Sequence, residues 1–551
     1  MSNPECKRII LGGNDNVAFL KHNTALLLAA KKTRQSSTPT LLHRGTAPRT
    51  PYASRRFKAL RIRTNINFSY TEQKTHFKNM ERLISLFIIA FMAIGSHAKD
   101  IVKTWPAPEG VALKKDFSVK VRIPGGKWQN VDTYSIAVAD NRSIPRRVDA
   151  TSVAKFDFEG RVEISVTSLT RDIDSVRVRP TSLGIRLNPE TDRRTVIFTI
   201  DRPRYLSLEI NGDEMHNLQI FADRPIKMPK VRKRDLIYFG PGLHVLKDDS
   251  LGITSGKTVI IDGGAVVRGW LSVCNARDVR ILGHGIVMPK RHTGIAVRYS
   301  KNVLVDGPLT TQLPVGGSDS VEVRNVKVMS SYGWGDGLNI FASNNVTQRN
   351  CFARTSDDCS TIYCTRLGYR GGCRNILIDG ATYWASVAHP IMIGLHGDID
   401  RNEKIENVTY KNIDILGQCE HQTDYMGCIG INNGDNILVK GVKFDSIRIE
   451  NVQDGMLFNF RVCYNKKYCH APGRGIEDIT LSNISYRGLK PTLSIITGYN
   501  NDRLIKGISF KNLTINGRHI FDKMLGKPSY YKTSDMAGIF IGEHVDGVTF
   551  E

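Results

Sequence analysis

Lys301-Asn302-Val303-Leu304-Val305-Asp306 and Asp319-Ser320-Val321-Glu322-Val323-Arg324 are two copies of one short phrase. In each, a polar corner precedes two apolar residues separated by one position. That alternation suits a strand with one face buried. Working outward, the phrase recurs at Val259/Ile261, Val279/Ile281, Ile376/Ile378, Val408/Tyr410, Ile437/Val439, Ile479/Leu481, Ile508/Phe510 and Val548/Phe550, with a degenerate copy at Val346 where Gln348 takes the second apolar place. An irregular repeat of strand-bearing phrases is the mark of a solenoid, in which no unit buries its apolar face alone and stacked units share one core. Asn and Gly at the corners suit left-handed backbone positions. The expected fold is all-β, a right-handed parallel β-helix. A β-propeller is the runner-up, but no four-strand blade repeats every about 40–45 residues. The longer coils lie between residues 346 and 479, and their extra length predicts loops that build a binding face.

Residues 99–230 read differently. Phe117-Ser118-Val119-Lys120-Val121-Arg122-Ile123, Val162-Glu163-Ile164-Ser165-Val166 and Tyr205-Leu206-Ser207-Leu208-Glu209-Ile210 alternate apolar and polar residues, and turn-rich segments separate them. Short strands at regular spacing predict a β-sandwich domain ahead of the helix. The basic, proline-containing stretch 225–234 is the expected linker, leaving residues 231–551 for the β-helix.

The chain has 551 residues and a net charge of +24. Residues 1–98 carry 16 Lys and Arg against 4 Asp and Glu, so half of the excess is local. The remainder is basic enough to favour an anionic partner, though a solubility surface is an equal reading. Met80-Glu81-Arg82, the apolar stretch Leu83 to Gly95 and the small-x-small Ser96-His97-Ala98 have the form of a secretory signal peptide, too short for a transmembrane span. The expectation is that translation begins at Met80, that residues 1–79 are a non-native upstream extension, that residues 80–98 are removed, and that the protein is secreted or periplasmic without a membrane anchor. Three cysteine pairs are close in sequence, Cys364 with Cys373, Cys419 with Cys428 and Cys463 with Cys469. In an exported protein they are expected to form local disulfide bonds, with Cys274, Cys351 and Cys359 unpaired. Asn345, Asn407, Asn483 and Asn512 match the glycosylation pattern, but the repeat phrase generates that tripeptide by itself, and a structural role is expected.

The chemistry concentrates in three aspartates. Asp336 lies in Gly335-Asp336-Gly337, and Asp357 and Asp358 follow one coil later in Ser356-Asp357-Asp358-Cys359. If coils stack about 4.8 Å apart, the three carboxylates meet. Like charges in one patch repel, so at least one carboxyl should hold its proton near neutral pH while its neighbours stay ionised. That division suits acid/base work on a glycosidic bond. A calcium site or an Asp-rich turn are the structural alternatives.

Here the residues carry a resemblance. The Gly-Asp-Gly, the Asp-Asp-Cys and Ala388-His389-Pro390-Ile391-Met392-Ile393-Gly394 resemble the polygalacturonase family of glycoside hydrolases and the related dextranase/isopullulanase family. The resemblance implies a β-helix hydrolase that inverts configuration and uses no cofactor or metal, with Asp357 as general acid, Asp336 and Asp358 holding and activating water, and His389 assisting. The family pattern of Asn-Thr before the first aspartate is Trp334-Gly335 here. Gly-His-Gly is reduced to its His, and no Arg-Ile-Lys is found. Arg461 is the nearest basic candidate, which weakens the case for uronate specificity.

Substrate-binding candidates are Trp334, Tyr363 and Trp384, with Tyr383, for stacking on sugars, and Arg354 and Arg461, with Arg366 and Arg474, for anionic groups. His396 competes with His389. The expected partner is an α-linked polysaccharide or oligosaccharide, an acidic one slightly favoured over a neutral glucan. Nucleic acid is not expected, because no basic motif interleaved with aromatics accompanies the charge. A β-helix polysaccharide lyase and a non-catalytic glycan-binding protein are the rival functions.

Overall fold

In the computed structural model, the strand phrases stack directly on one another. Val279, Val303, Val321, Val346, Ile376, Val408, Val442, Ile479, Ile508 and Val548 are successive rungs of one ladder. The structure describes residues 100–142, 147–188, 192–290 and 293–551. The upstream extension and the signal peptide expected at 1–79 and 80–98 lie outside them. Among the described residues, no helix is long and apolar enough to cross a membrane.

From Leu236–Phe239 to Val545–Phe550, 28 strands join in one sheet whose pairings are parallel, apart from the short strand Arg518–Ile520. This is the right-handed parallel β-helix, the hand that twisted strands impose on parallel crossovers. The inward Val, Ile, Leu and Phe form one continuous core along the stack. Burying each such side chain stabilises the fold by about 1.5–3 kcal/mol.

Two phrases sit differently from the sequence reading. Val259 pairs with Ile281 rather than Val279. In strand Leu438–Ile449 the rungs below Val408 and Tyr410 are Val442 and Phe444, while Val439 lies under Ile405. A 12-residue strand contains two alternating stretches, and only pairing chooses between them. Gln348 keeps its inward place between Val323 and Ile378, where its amide donates to Leu338 O at 3.4 Å.

The corner asparagines have a structural role. Asn345, Asn407, Asn483 and Asn512 all sit at φ between 53° and 56°. Their amides build ladders: Asn375 Nδ2 donates to Asn345 Oδ1 at 2.9 Å, Asn407 Nδ2 to Asn375 Oδ1 at 2.7 Å, and Asn512 Nδ2 to Asn483 Oδ1 at 2.9 Å. Asparagine tolerates the left-handed region and its amide bonds across coils, so the repeated tripeptide is a by-product of the corner.

Ahead of the helix, a six-stranded sheet and a four-stranded sheet face each other between Ile101 and Asp223. Their inner faces, including Phe117, Val119, Phe156, Ile164, Phe198 and Leu206, form the sandwich core. The sandwich and the helix form one unit. Tyr134, Ile136, Val138 and Phe221 of the six-stranded sheet pack on Val266, Ile286, Leu309, Met329 and Phe352 of the helix.

That junction also buries charge. Lys327 Nζ lies 2.6 Å from Asp223 Oδ2 and donates to Gly307 O at 2.8 Å. Tyr205 OH donates to Asp223 Oδ1 at 2.8 Å, and His284 Nδ1 lies 2.7 Å from Asp157 Oδ1.

The three expected disulfide bonds are not formed. Cys364, Cys373, Cys428, Cys463 and Cys469 are free thiols. The sulfurs point to backbone or core partners: Cys364 Sγ to Lys404 O, Cys373 Sγ to Tyr363 O, Cys469 Sγ to Leu395 O. Proximity in sequence is no guide when strand alternation aims each side chain separately. Cys351 and Cys359 are free and buried.

Candidate active site

The register of the coils sets the site. Leu338 pairs with Ser360, and Thr361 with Met392. Counting back two residues from Leu338, Ser360 and Ile391 gives Asp336, Asp358 and His389, one per coil. The backbone closes this column: Gly337 N donates to Asp358 O and Cys359 N to His389 O, both at 2.8 Å. Two glycines permit the approach. A Cβ on Gly337 would lie 2.4 Å from Cys359 O, and one on Gly335 would lie 2.0 Å from Ser356 Oγ.

Residues 356–359 are not strand, lying between strands Phe352–Thr355 and Ser360–Tyr363. Thr355 Oγ1 donates to Asp357 O at 2.6 Å, and Asp358 N donates to Asp357 Oδ1 at 3.0 Å. The turn interrupts the alternation that would send adjacent aspartates to opposite faces.

Asp358 is buried and pinned. His389 Nδ1 lies 2.6 Å from its Oδ1, His389 N donates to the same oxygen at 3.1 Å, and Tyr363 OH donates to Oδ2 at 3.0 Å. His389 Nε2 meets the carbonyl of Tyr425, whose ring centroid lies 4.4 Å from the imidazole. Burial alone would lower the His389 pKa, but Asp358 and the Tyr425 carbonyl more than offset it and hold it above the usual value. With an acceptor facing each ring nitrogen, the surroundings favour the imidazolium form.

Asp336 and Asp357 are half-buried. Burial, then the neighbouring Asp358 charge, pushes Asp357 up to about 7. Asp336 is driven well above the carboxylate range by burial and by Asp357 and Asp358, against the opposing pull of Asn339 and Arg366. Asn339 Nδ2 donates to Asp336 Oδ2 at 2.8 Å. Three carboxylates thus face one imidazole, and the raised carboxyls keep a proton on the group near neutral pH.

The other candidates divide. Trp334 is 66% exposed on the turn that leads into Asp336. Tyr363 is buried and serves Asp358 rather than presenting a stacking face. His396 packs edge-on against Tyr363 at 4.9 Å, and burial, with Arg366 and His470 nearby, pulls it down to about 3, so it is neutral. Arg461 is half-buried, bonded to Asn459 Oδ1 at 2.9 Å and to Thr423 O at 3.4 Å. Arg366 is exposed near Asp336.

Arg354 and Trp384 are not in the site. Both face the sandwich: Arg354 donates to Asn217 Oδ1 at 2.8 Å and Glu214 O at 2.9 Å, and Trp384 lies between Arg354 at 4.3 Å and Arg179 at 4.9 Å. In strand Phe352–Thr355, Ala353 faces the core, so Arg354 must point outward to the covering sheet. Tyr383 belongs to the helix core, and Arg474 holds the Asn402 and Glu403 carbonyls. Sequence reasoning missed Asn339 and Tyr425. The first could have been found by its place three residues after Asp336; the second contributes a carbonyl, which leaves no mark in sequence.

Residues 301–527 match Glycosyl hydrolases family 28. A polygalacturonase of Juniperus ashei is 25% identical over 237 residues, 41% of this chain and 43% of that protein. Dex49A from Penicillium minioluteum superposes with a TM-score of 0.54 at 13% identity, covering 81% of this chain and 96% of that one. A family 28 exopolygalacturonase of Yersinia enterocolitica gives a TM-score of 0.38 at 10% identity, with 71% and 96% covered. The chain thus resembles the polygalacturonase family over the coils that carry the aspartates, spans less than half the length of the curated relative it matches, and shares its fold with Dex49A.

Proposed function

We propose that the protein is an exported glycoside hydrolase that cleaves an α-linked polysaccharide or oligosaccharide with inversion of configuration. The observation that carries this reading is the column Asp336, Asp358, His389 with Asp357 beside it, its carboxyl pushed up to about 7. Asp357 gives its proton to the leaving glycosidic oxygen as the bond to the anomeric carbon breaks. Asp358 is held by His389 and Tyr363. It orients a water and takes its proton as the water oxygen bonds that carbon from the opposite face. Asp336, with Asn339, helps hold the water. Inversion needs about 6.5–9.5 Å between the carboxyl that protonates the leaving oxygen and the one that activates the water. The similarity of residues 301–527 to family 28 supports the same chemistry.

Arg366 and Arg461 favour an acidic sugar, because neither guanidinium has an ion pair with a carboxylate among the described residues. Exposed Trp334 would stack on a sugar face and suits a neutral glucan equally. Export rests on the apolar stretch Leu83 to Gly95.

A panel of plant, algal and bacterial polysaccharides tests the reading, with proton NMR of the first product. Release of a product whose anomeric configuration is inverted is expected, unaffected by chelator. A retained anomer removes the mechanism. An unsaturated product that absorbs in the near ultraviolet, lost with chelator, indicates a lyase instead.

A further inference from the structure

Beyond His389 in the stack, strands Ile429–Asn433 and Phe458–Val462 turn Gly430, Asn432, Asn459 and Arg461 outward, while Ile431 and Phe460 enter the core. In an open cleft this face would continue the groove along the helix. Here two loops cross it. Residues 419–428 arrive at the leading edge of the first strand, and residues 463–474 leave from the trailing edge of the second. Five residues of strand at about 3.3 Å each hold those edges roughly 16 Å apart.

The loops nonetheless meet. Lys467 Nζ and Tyr468 OH both donate to Gln422 Oε1, at 2.5 and 3.2 Å. The Tyr425 and Tyr468 rings lie 4.7 Å apart. Underneath, Asn459 Nδ2 donates to Met426 O at 2.5 Å and Arg461 Nη2 to Thr423 O at 3.4 Å, so the first loop lies on the strand face. The bridge begins at the catalytic column, where Tyr425 supplies the carbonyl that His389 Nε2 meets.

A third loop, 364–372, folds back over the preceding coils. Tyr369 stacks on Phe341 at 5.9 Å, Tyr299 OH donates to Gly368 O at 3.2 Å, and a Cβ on Gly316 would lie 2.4 Å from the Tyr369 ring. Buried carboxylates fix these walls. Glu403 accepts from Thr365 Oγ1 at 2.6 Å and from Gly371 N at 3.1 Å, and Asp435 accepts from His470 N at 2.5 Å and Gly397 N at 3.2 Å.

We infer that the site is a pocket closed by the 419–428/463–474 bridge, which admits a chain end and makes the protein an exo-acting hydrolase. This rests on the hydrolase reading above. Each event adds one water across one glycosidic bond near the chain end: the water oxygen bonds the anomeric carbon, and the leaving oxygen takes the acid's proton. A polymer passing through would have to cross the plane occupied by Gln422, Tyr425 and Tyr468.

Wild-type protein is incubated with homogalacturonan and dextran, and with their oligomers, while viscosity and product sizes are followed. One small product at all times, with viscosity nearly constant early on, is expected. A spread of internal fragments with an early fall in viscosity overturns the pocket and leaves the hydrolase reading standing. No release from these substrates or from any member of the wider polysaccharide panel removes both. The double variant Gln422→Ala/Tyr468→Ala severs the bridge and is expected to raise the ratio of internal to terminal cleavage several-fold. An unchanged ratio in a folded variant shows that the bridge does not set the mode of action.

Discussion

The molecule buries two groups of aspartates with a histidine, and they are opposite in character. At the junction of sandwich and helix, Asp223 and Asp157 face His284 and Lys327. Burial would raise the Asp223 carboxyl, but Lys327 and His284 reverse the sign and hold it below the usual range. At the column, His389 is the cation within ion-pair distance of the three aspartates among the described residues, Arg366 acts from farther off, and Asp336 and Asp357 are raised. Similar residue types therefore serve cohesion in one place and, in the proposed mechanism, proton transfer in the other. The difference is charge balance. A cation within hydrogen-bond reach stabilises the ionised carboxylate, whereas a shortage of cations leaves a proton to donate.

The comparison can be broken at the site first. Asp357→Asn is expected to lower kcat about 10²–10⁴-fold, the range for loss of a general acid, while the circular dichroism spectrum is unchanged. More than a tenth of wild-type turnover in that variant rules out Asp357 as the acid. At the junction, Lys327→Met leaves Asp223 buried without its cation and should cost about 3–5 kcal/mol of stability, the scale of a broken buried pair. Denaturant midpoints measure it; an unchanged midpoint means the pair holds nothing together.

The smallest effect is in pH dependence, where the two groups carry opposite signs. Asp357 has a folded pKa raised to about 7. Its contribution to stability is complete below the ordinary Asp value and is lost as pH rises toward about 7. Above that, kcat falls roughly tenfold per pH unit as the acid loses its proton. Asp223 is depressed, so its contribution is present above the ordinary Asp value and lost on acidification. Asp357→Asn should remove the first dependence and leave the second. A wild-type pH–rate profile flat from neutral to alkaline contradicts the assignment.

Much of this was legible beforehand. The Val303/Val305 and Val321/Val323 phrases announced the solenoid, because a two-residue period repeated at coil length has few other solutions. Asp336 and Asp358 are neighbours because their offset is one coil. Arg354 and Trp384 were misplaced because the sequence shows alternation but not which outward face another domain covers. The cysteine pairs misled in the same way: closeness along the chain says nothing about where each sulfur points.

Strand period and coil length alone dictate the inward rows, the corner asparagines and the spacing that stacks three acidic positions. The register at Val442 and the burial of Lys327 against Asp223 were settled by packing between coils and between domains. Such packing likewise decided the aiming of Arg354 toward the sandwich, the Tyr425 carbonyl on His389 and the loop bridge beyond it. Each of these depends on groups far apart in the chain meeting across coils or domains, where burial and a neighbouring charge decide whether a residue holds the fold or moves a proton.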